Sequence, residues 1–94
     1  MDVIEVTVDP ERGSAEIEVK SDEGDWLLLG VEFIEHATAD LVDEWGRVVP
    51  PDKNVSATAE GRGFLCKAYR IARTSIYYAH VTAVRATATV GPLW

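Results

Sequence analysis

Apolar and polar residues alternate through most of the first twenty positions. Ile4, Val6 and Val8 fall on one side of an extended chain, with Glu5 and Thr7 on the other; Ala15, Ile17 and Val19 are set in the same way against Glu16, Glu18 and Lys20. A period of two marks a strand with one face buried and one face wet. Between the two segments, Asp9-Pro10-Glu11-Arg12-Gly13-Ser14 holds a φ-fixing proline and a glycine free to take positive φ. This pairing of strands and turn is expected to make a β-hairpin.

Ser21 to Asp25 is a polar connection, and Trp26 to Ile34 is then almost continuously apolar, as in a central strand covered on both faces. Ala37 to Asp43 has a weaker strand pattern. Glu44-Trp45-Gly46 marks a tight turn into Val48-Val49, and Pro50-Pro51 stops that run because proline cannot donate to a ladder. Asn54 to Glu60 alternates again, with Val55, Ala57 and Ala59 opposite Ser56 and Thr58. Ile76 to Val90 is rich in β-branched residues that favour strand. It is long for one strand, so a bend or bulge is expected near Ala79-His80.

Phe64 to Arg73 carries two periodicities. Read as a helix, Phe64, Leu65, Ala68, Ile71 and Ala72 form one stripe, and Lys67, Arg70 and Arg73 a basic row. Read as a strand, Leu65, Tyr69 and Ile71 face one way and Phe64, Cys66 and Ala68 the other. The turn signals around it recur at about the 8–12-residue spacing of sandwiches and barrels, which favours strand. The expected fold is therefore all-β, with room for one short helix at 64–73: a single domain over residues 1–94, an antiparallel β-sandwich or small barrel.

Glu60-Gly61-Arg62-Gly63-Phe64-Leu65-Cys66-Lys67-Ala68 resembles the penultimate strand of an immunoglobulin domain, where an acidic turn precedes an aromatic-x-cysteine step. Phe64 lacks the hydroxyl of a tyrosine corner and Cys66 has no partner cysteine. The resemblance thus implies an Ig-like sandwich at most, and no function.

Charge adds one asymmetry. The chain is acidic, with a formal net charge of −7, which argues against a nucleic-acid partner. All sixteen acids lie at or before Glu60 with four bases, whereas five bases and no acid follow, so the two parts carry −12 and +5. Opposite charges paired across the sheet would cancel this reversal; an exposed basic patch of Lys67, Arg70 and Arg73 would make it an interaction surface. The apolar run at Trp26–Leu29 is far shorter than the roughly 20 residues of a membrane span, and no basic-then-apolar leader opens the chain. The expected location is cytoplasmic or within a virion.

Catalytic and metal-binding patterns are weak. Cys66, the one cysteine, could act as a nucleophile only with His36 or His80 in reach, and free cysteine is more often a core residue. Two isolated histidines and one cysteine lack zinc-ligand spacing. Asp22-Glu23-Gly24-Asp25 lacks the ligand array of a calcium loop and reads as a solvated acidic turn. No metal, cofactor or catalytic residue is expected. Trp45 at a turn tip and Leu93-Trp94 at the end of the sequence are large apolar surfaces suited to contacts.

In size, lack of catalytic motif and free termini the chain is similar to the small β modules that decorate or connect bacteriophage virions. The expected function is a non-enzymatic structural or assembly module contacting other proteins or copies of itself, through Trp45, Lys67, Arg70, Arg73, Leu93 and Trp94. The alternative is a small-ligand or carbohydrate-binding β-sandwich with Trp45 as its platform.

Overall fold

The computed structural model describes residues 2–92 and has no helix among them. Its seven strands are β1 (Ile4–Val8), β2 (Ser14–Ser21), β3 (Trp26–Val42), β4 (Val48–Val49), β5 (Lys53–Ala59), β6 (Arg62–Arg70) and β7 (Ser75–Pro92), all paired antiparallel. The all-β expectation holds. The ambiguous basic segment is strand to Arg70, and a bend at Ala72–Arg73 carries the chain into β7.

The scaffold is the pair β3 and β7, which run beside each other along their length with one register shift between Ile34 and Ala37. There Glu35 takes φ 70°, and β3 spends one residue more than β7 between Phe33↔Ala86 and Ala37↔Ala83. This is a β-bulge, which bends and twists the ladder. Its effect on β7 is visible in burial: Tyr77, Ala79, Val81 and Ala83 face the core, and after the bend Ala86, Ala88 and Val90 do, a slip of one position. The extra residue on β3 lets its own core positions, Leu27 to Phe33 and Ala37 to Leu41, stay in step with both halves. The bend thus lies at Ala83–Ala86 rather than the expected Ala79-His80.

Beyond the bend the ladder acquires different neighbours on each side. One half carries β1-β7-β3-β6-β5; the other carries β2 on β7 and β4 on β3. Their inner faces share one apolar cluster, from Val8, Ile17 and Val19 through Leu29, Leu41, Leu65 and Tyr69 to Val81 and Val90. The arrangement is consistent with a small β-sandwich or barrel-like fold.

The expected hairpin of the first two strands does not form. β1 pairs with the second half of β7 (Ile4↔Val90 to Val8↔Ala86) and β2 with the first half (Ser14↔Thr82 to Ser21↔Ser75). Both run antiparallel to β7, so they follow each other in the same direction. The Asp9–Gly13 loop steps across the bend between them, and Ala83 N donates to the Gly13 carbonyl at 3.0 Å. An 18-residue strand can serve two short neighbours end to end.

The true tight hairpin is β5–β6. Glu60 and Gly61 have φ of 54° and 74°, the two positive values that a two-residue type I′ turn requires. Behind it, Gly63 has no room for a side chain: a Cβ there would lie 2.6 Å from the Phe33 ring and 2.7 Å from the Ala57 carbonyl oxygen.

Candidate interaction surface

The two long strands double back, so the loops at 22–25, 43–47 and 71–74 meet at one end of the molecule. Gly24 N donates to the Ile71 carbonyl at 2.7 Å, and Glu23 N to Thr74 Oγ1 at 2.9 Å. Asp43 organises the β3–β4 turn. Its Oδ1 accepts from the backbone amides of Trp45 and Arg47, both at 2.9 Å, and its Oδ2 from Arg47 Nε at 3.0 Å. Desolvation pushes this carboxyl up, but the amides of Arg47 and Trp45 and the Arg47 guanidinium outweigh it, and the net pKa falls below the ordinary value.

That turn presents Trp45, 56% exposed, at its tip as expected. The ring is not open. The guanidinium carbons of Arg73 and Arg47 stand 4.0 and 4.8 Å from its centroid. Arg73 is in turn held by Glu44 at 3.3 Å, whose other oxygen accepts from Ser75 Oγ at 3.1 Å. A sugar stacking on Trp45 would have to displace a guanidinium, each contact being worth about 0.5–1 kcal/mol at an exposed site. This geometry weakens the carbohydrate platform.

Lys67, Arg70 and Arg73 do not form the expected patch. On β6, Lys67 shares the inner face with Leu65 and Tyr69, and its Nζ reaches the Ala39 carbonyl at 2.6 Å and Asp40 Oδ1 at 3.4 Å. Its apolar stem is covered while the ammonium finds oxygens at the rim, as lysines commonly do. Arg70 lies on the opposite face, its amide donating to Asp52 at 2.7 Å, and Arg73 serves Trp45. The strand alternation that separates Lys67 from Arg70 is the reason; only a helix would have aligned all three. Trp45 and Arg73 are brought together. Leu93 and Trp94 lie outside the described residues.

The charge reversal at Glu60 is partly internal. Lys67–Asp40 and Arg73–Glu44 each join a late cation to an early acid, and His80 Nε2 lies 2.9 Å from Glu16. The Arg62, Arg70 and Arg85 side chains have no such partner among the described residues.

Cys66 is not in the core. It is half-buried on the outer face of β6, opposite Gly30 and Val55, so neither histidine is its ladder neighbour. The same register turns Leu65 inward and Phe64 and Cys66 outward, the reverse of the immunoglobulin arrangement, in which that cysteine points to the core. Among the described residues no three His, Cys, Asp or Glu side chains gather as a metal site.

The alternation over Asn54 to Glu60 foretold β5 but not that it stands exposed at the edge of the sheet. Every residue from Lys53 to Ala59 is exposed, and among the described residues β6 is its only ladder partner, which leaves its outer edge without one. The odd positions Val55, Ala57 and Ala59 share a face with Phe64 and Cys66, and the even positions Asn54, Ser56 and Thr58 lie on the other. Val55 and Phe64 are 58% and 42% exposed. An open groove of about 730 Å³ runs from β5 inward across β6, β3 and β7 to Thr7 of β1, with Ile34, Ala57, Phe64 and Arg85 in its lining. The signal was present in the sequence: from Asn54 to Ala59 no charged residue and no proline occurs. Strands at a solvent edge usually carry one or the other, because unpaired N–H and C=O groups invite a further strand.

Comparison with known proteins finds no matching family model, no matching curated sequence and no matching solved structure.

Proposed function

We propose that this chain is a non-enzymatic assembly module that joins other proteins by strand addition along β5. A single observation carries the reading: a seven-residue edge strand, exposed on both faces, with an uncharged run from Asn54 to Ala59. An added strand satisfies the edge's backbone groups and packs beside the exposed Val55 and Ala57, so main-chain bonds and apolar burial act together. A repeated shell or connector protein, as in a virion, is a setting that suits such a surface.

The test is light scattering of the wild-type chain, purified and in source extract, beside Val55→Lys. Particles larger than a monomer that the lysine variant reduces to monomer support the reading. A wild-type monomer in both settings sinks it.

A further inference from the structure

Resting on the assembly reading, we infer that the strand added to β5 is β5 of a second copy, antiparallel across a two-fold axis centred on Ala57. An isologous dimer brings the same patch together twice, so the edge must complement itself. A two-fold axis perpendicular to the sheet maps each face onto itself, and residues opposed in a ladder share a face. One residue must therefore oppose its own copy, which leaves few registers to compare.

With Ala57 at the centre, Val55 faces Ala59 of the second copy and Ser56 faces Thr58 of the second copy. Apolar residues then meet on the outer face and hydroxyls on the inner, both favourable cross-strand pairs. At each end Asn54 lies opposite Glu60 of the second copy, with Lys53 beside it. Lys53 and Glu60 are both exposed and have no ion pair among the described residues, and they sit at opposite ends of the strand. An antiparallel copy brings the cationic end of one to the anionic end of the other.

Two registers shifted towards the start of the strand are worse. Centring on Ser56 sets Asp52 against Glu60 of the second copy, a like-charge pair, and places Lys53 on Ala59. Centring on Val55 brings Pro51 into the ladder opposite Ala59 of the second copy, where it has no N–H to give. In the Ala57 register the five-stranded half continues into the partner as a ten-stranded sheet, with the exposed Phe64 of each copy flanking the seam.

Sedimentation velocity over a wide concentration range tests the partner, and cross-linking tests the register. The wild-type chain alone should pass from monomer to dimer, and Ala57→Lys should weaken dimerisation at least about 100-fold, the scale of two like charges juxtaposed. Ala57 is exposed, so the urea midpoint read at concentrations where both chains are monomeric should not move; Val55→Lys is a second disrupting variant should Ala57→Lys fold poorly. In a Cys66→Ser background, Ala57→Cys should oxidise to a covalent dimer faster than Ser56→Cys. A chain that stays monomeric alone, a dimer untouched by both lysines, or faster cross-linking at position 56 each overturns the proposal. Large particles in extract from a chain monomeric when pure would refute the second copy while leaving strand addition standing.

Discussion

β2 and β5 are both edge strands of one sheet, and the fold treats them in opposite ways. β2 turns Ile17 and Val19 into the core, 4% and 2% exposed, and lines its wet face with Glu16, Glu18 and Lys20. Its charges discourage another strand from docking, and its burial ties it to the domain. β5 buries nothing and carries no charge between Asn54 and Ala59. Burial and protection thus go together at one edge and are both missing at the other. An edge that adds little to the core and is left open is better explained by what it contacts than by what it stabilises.

The largest effect should come from cutting into β2's side of the comparison. Ile17→Ala removes a fully packed side chain and is expected to cost about 2–5 kcal/mol in urea unfolding. Val55→Ala on β5 should cost under about 0.5 kcal/mol, as exposed positions do. Equal losses at the two sites would show that β5 belongs to the core after all.

An intermediate effect is expected at Tyr69. Its hydroxyl is buried, and among the described residues no group meets it with good hydrogen-bond geometry; burial pushes its pKa up to about 12, against the pull of the nearby Leu41 backbone and with a smaller push from the charge of Asp40. Tyr69→Phe removes the unpaired group and keeps the ring, so thermal unfolding should show stability unchanged or raised by up to about 1 kcal/mol. A marked fall in the midpoint would reveal a partner for the hydroxyl.

The smallest effect concerns the loop end. Asp43 has a folded pKa below its ordinary value of 3.8, so its contribution is present above that value and lost as pH falls through the lower folded one. Asp43→Asn should lower stability slightly at neutral pH and leave it nearly unchanged in acid, so that the fall below about pH 4 is flattened. An unaltered acid limb would mean that the turn does not depend on this carboxylate's charge.

Strand content was legible because alternation and turn chemistry are local. The Ile4–Val8 and Ala15–Lys20 patterns, the Trp45 turn and the Val48-Val49 strand all appear where expected. Pairing was not legible, because the partner of β1 and β2 lies more than fifty residues away in β7, and a turn-like Asp9–Gly13 serves a bend-crossing loop as well as a hairpin. For side chains, alternation outranked residue type. It puts Lys67 on the face of Leu65 and Tyr69 and Cys66 on the opposite one, although charge suggested surface for the first and thiol chemistry suggested core for the second. The candidate interaction site was half visible: Trp45 and Arg73 meet, but the uncharged run in β5 signals an edge only once the sheet order, among the described residues, leaves it without an outer neighbour.

Amide hydrogen exchange followed residue by residue, at low and high protein concentration, tests the contrast between the edges most directly. In a lone antiparallel edge every second amide points to solvent. The outward amides among Asn54–Ala59 should exchange fast when dilute and slow several-fold as concentration rises, while those of Ser14–Ser21 should not change. Outward β5 amides that exchange equally fast at every concentration, or protection that grows along β2 instead, would contradict the account.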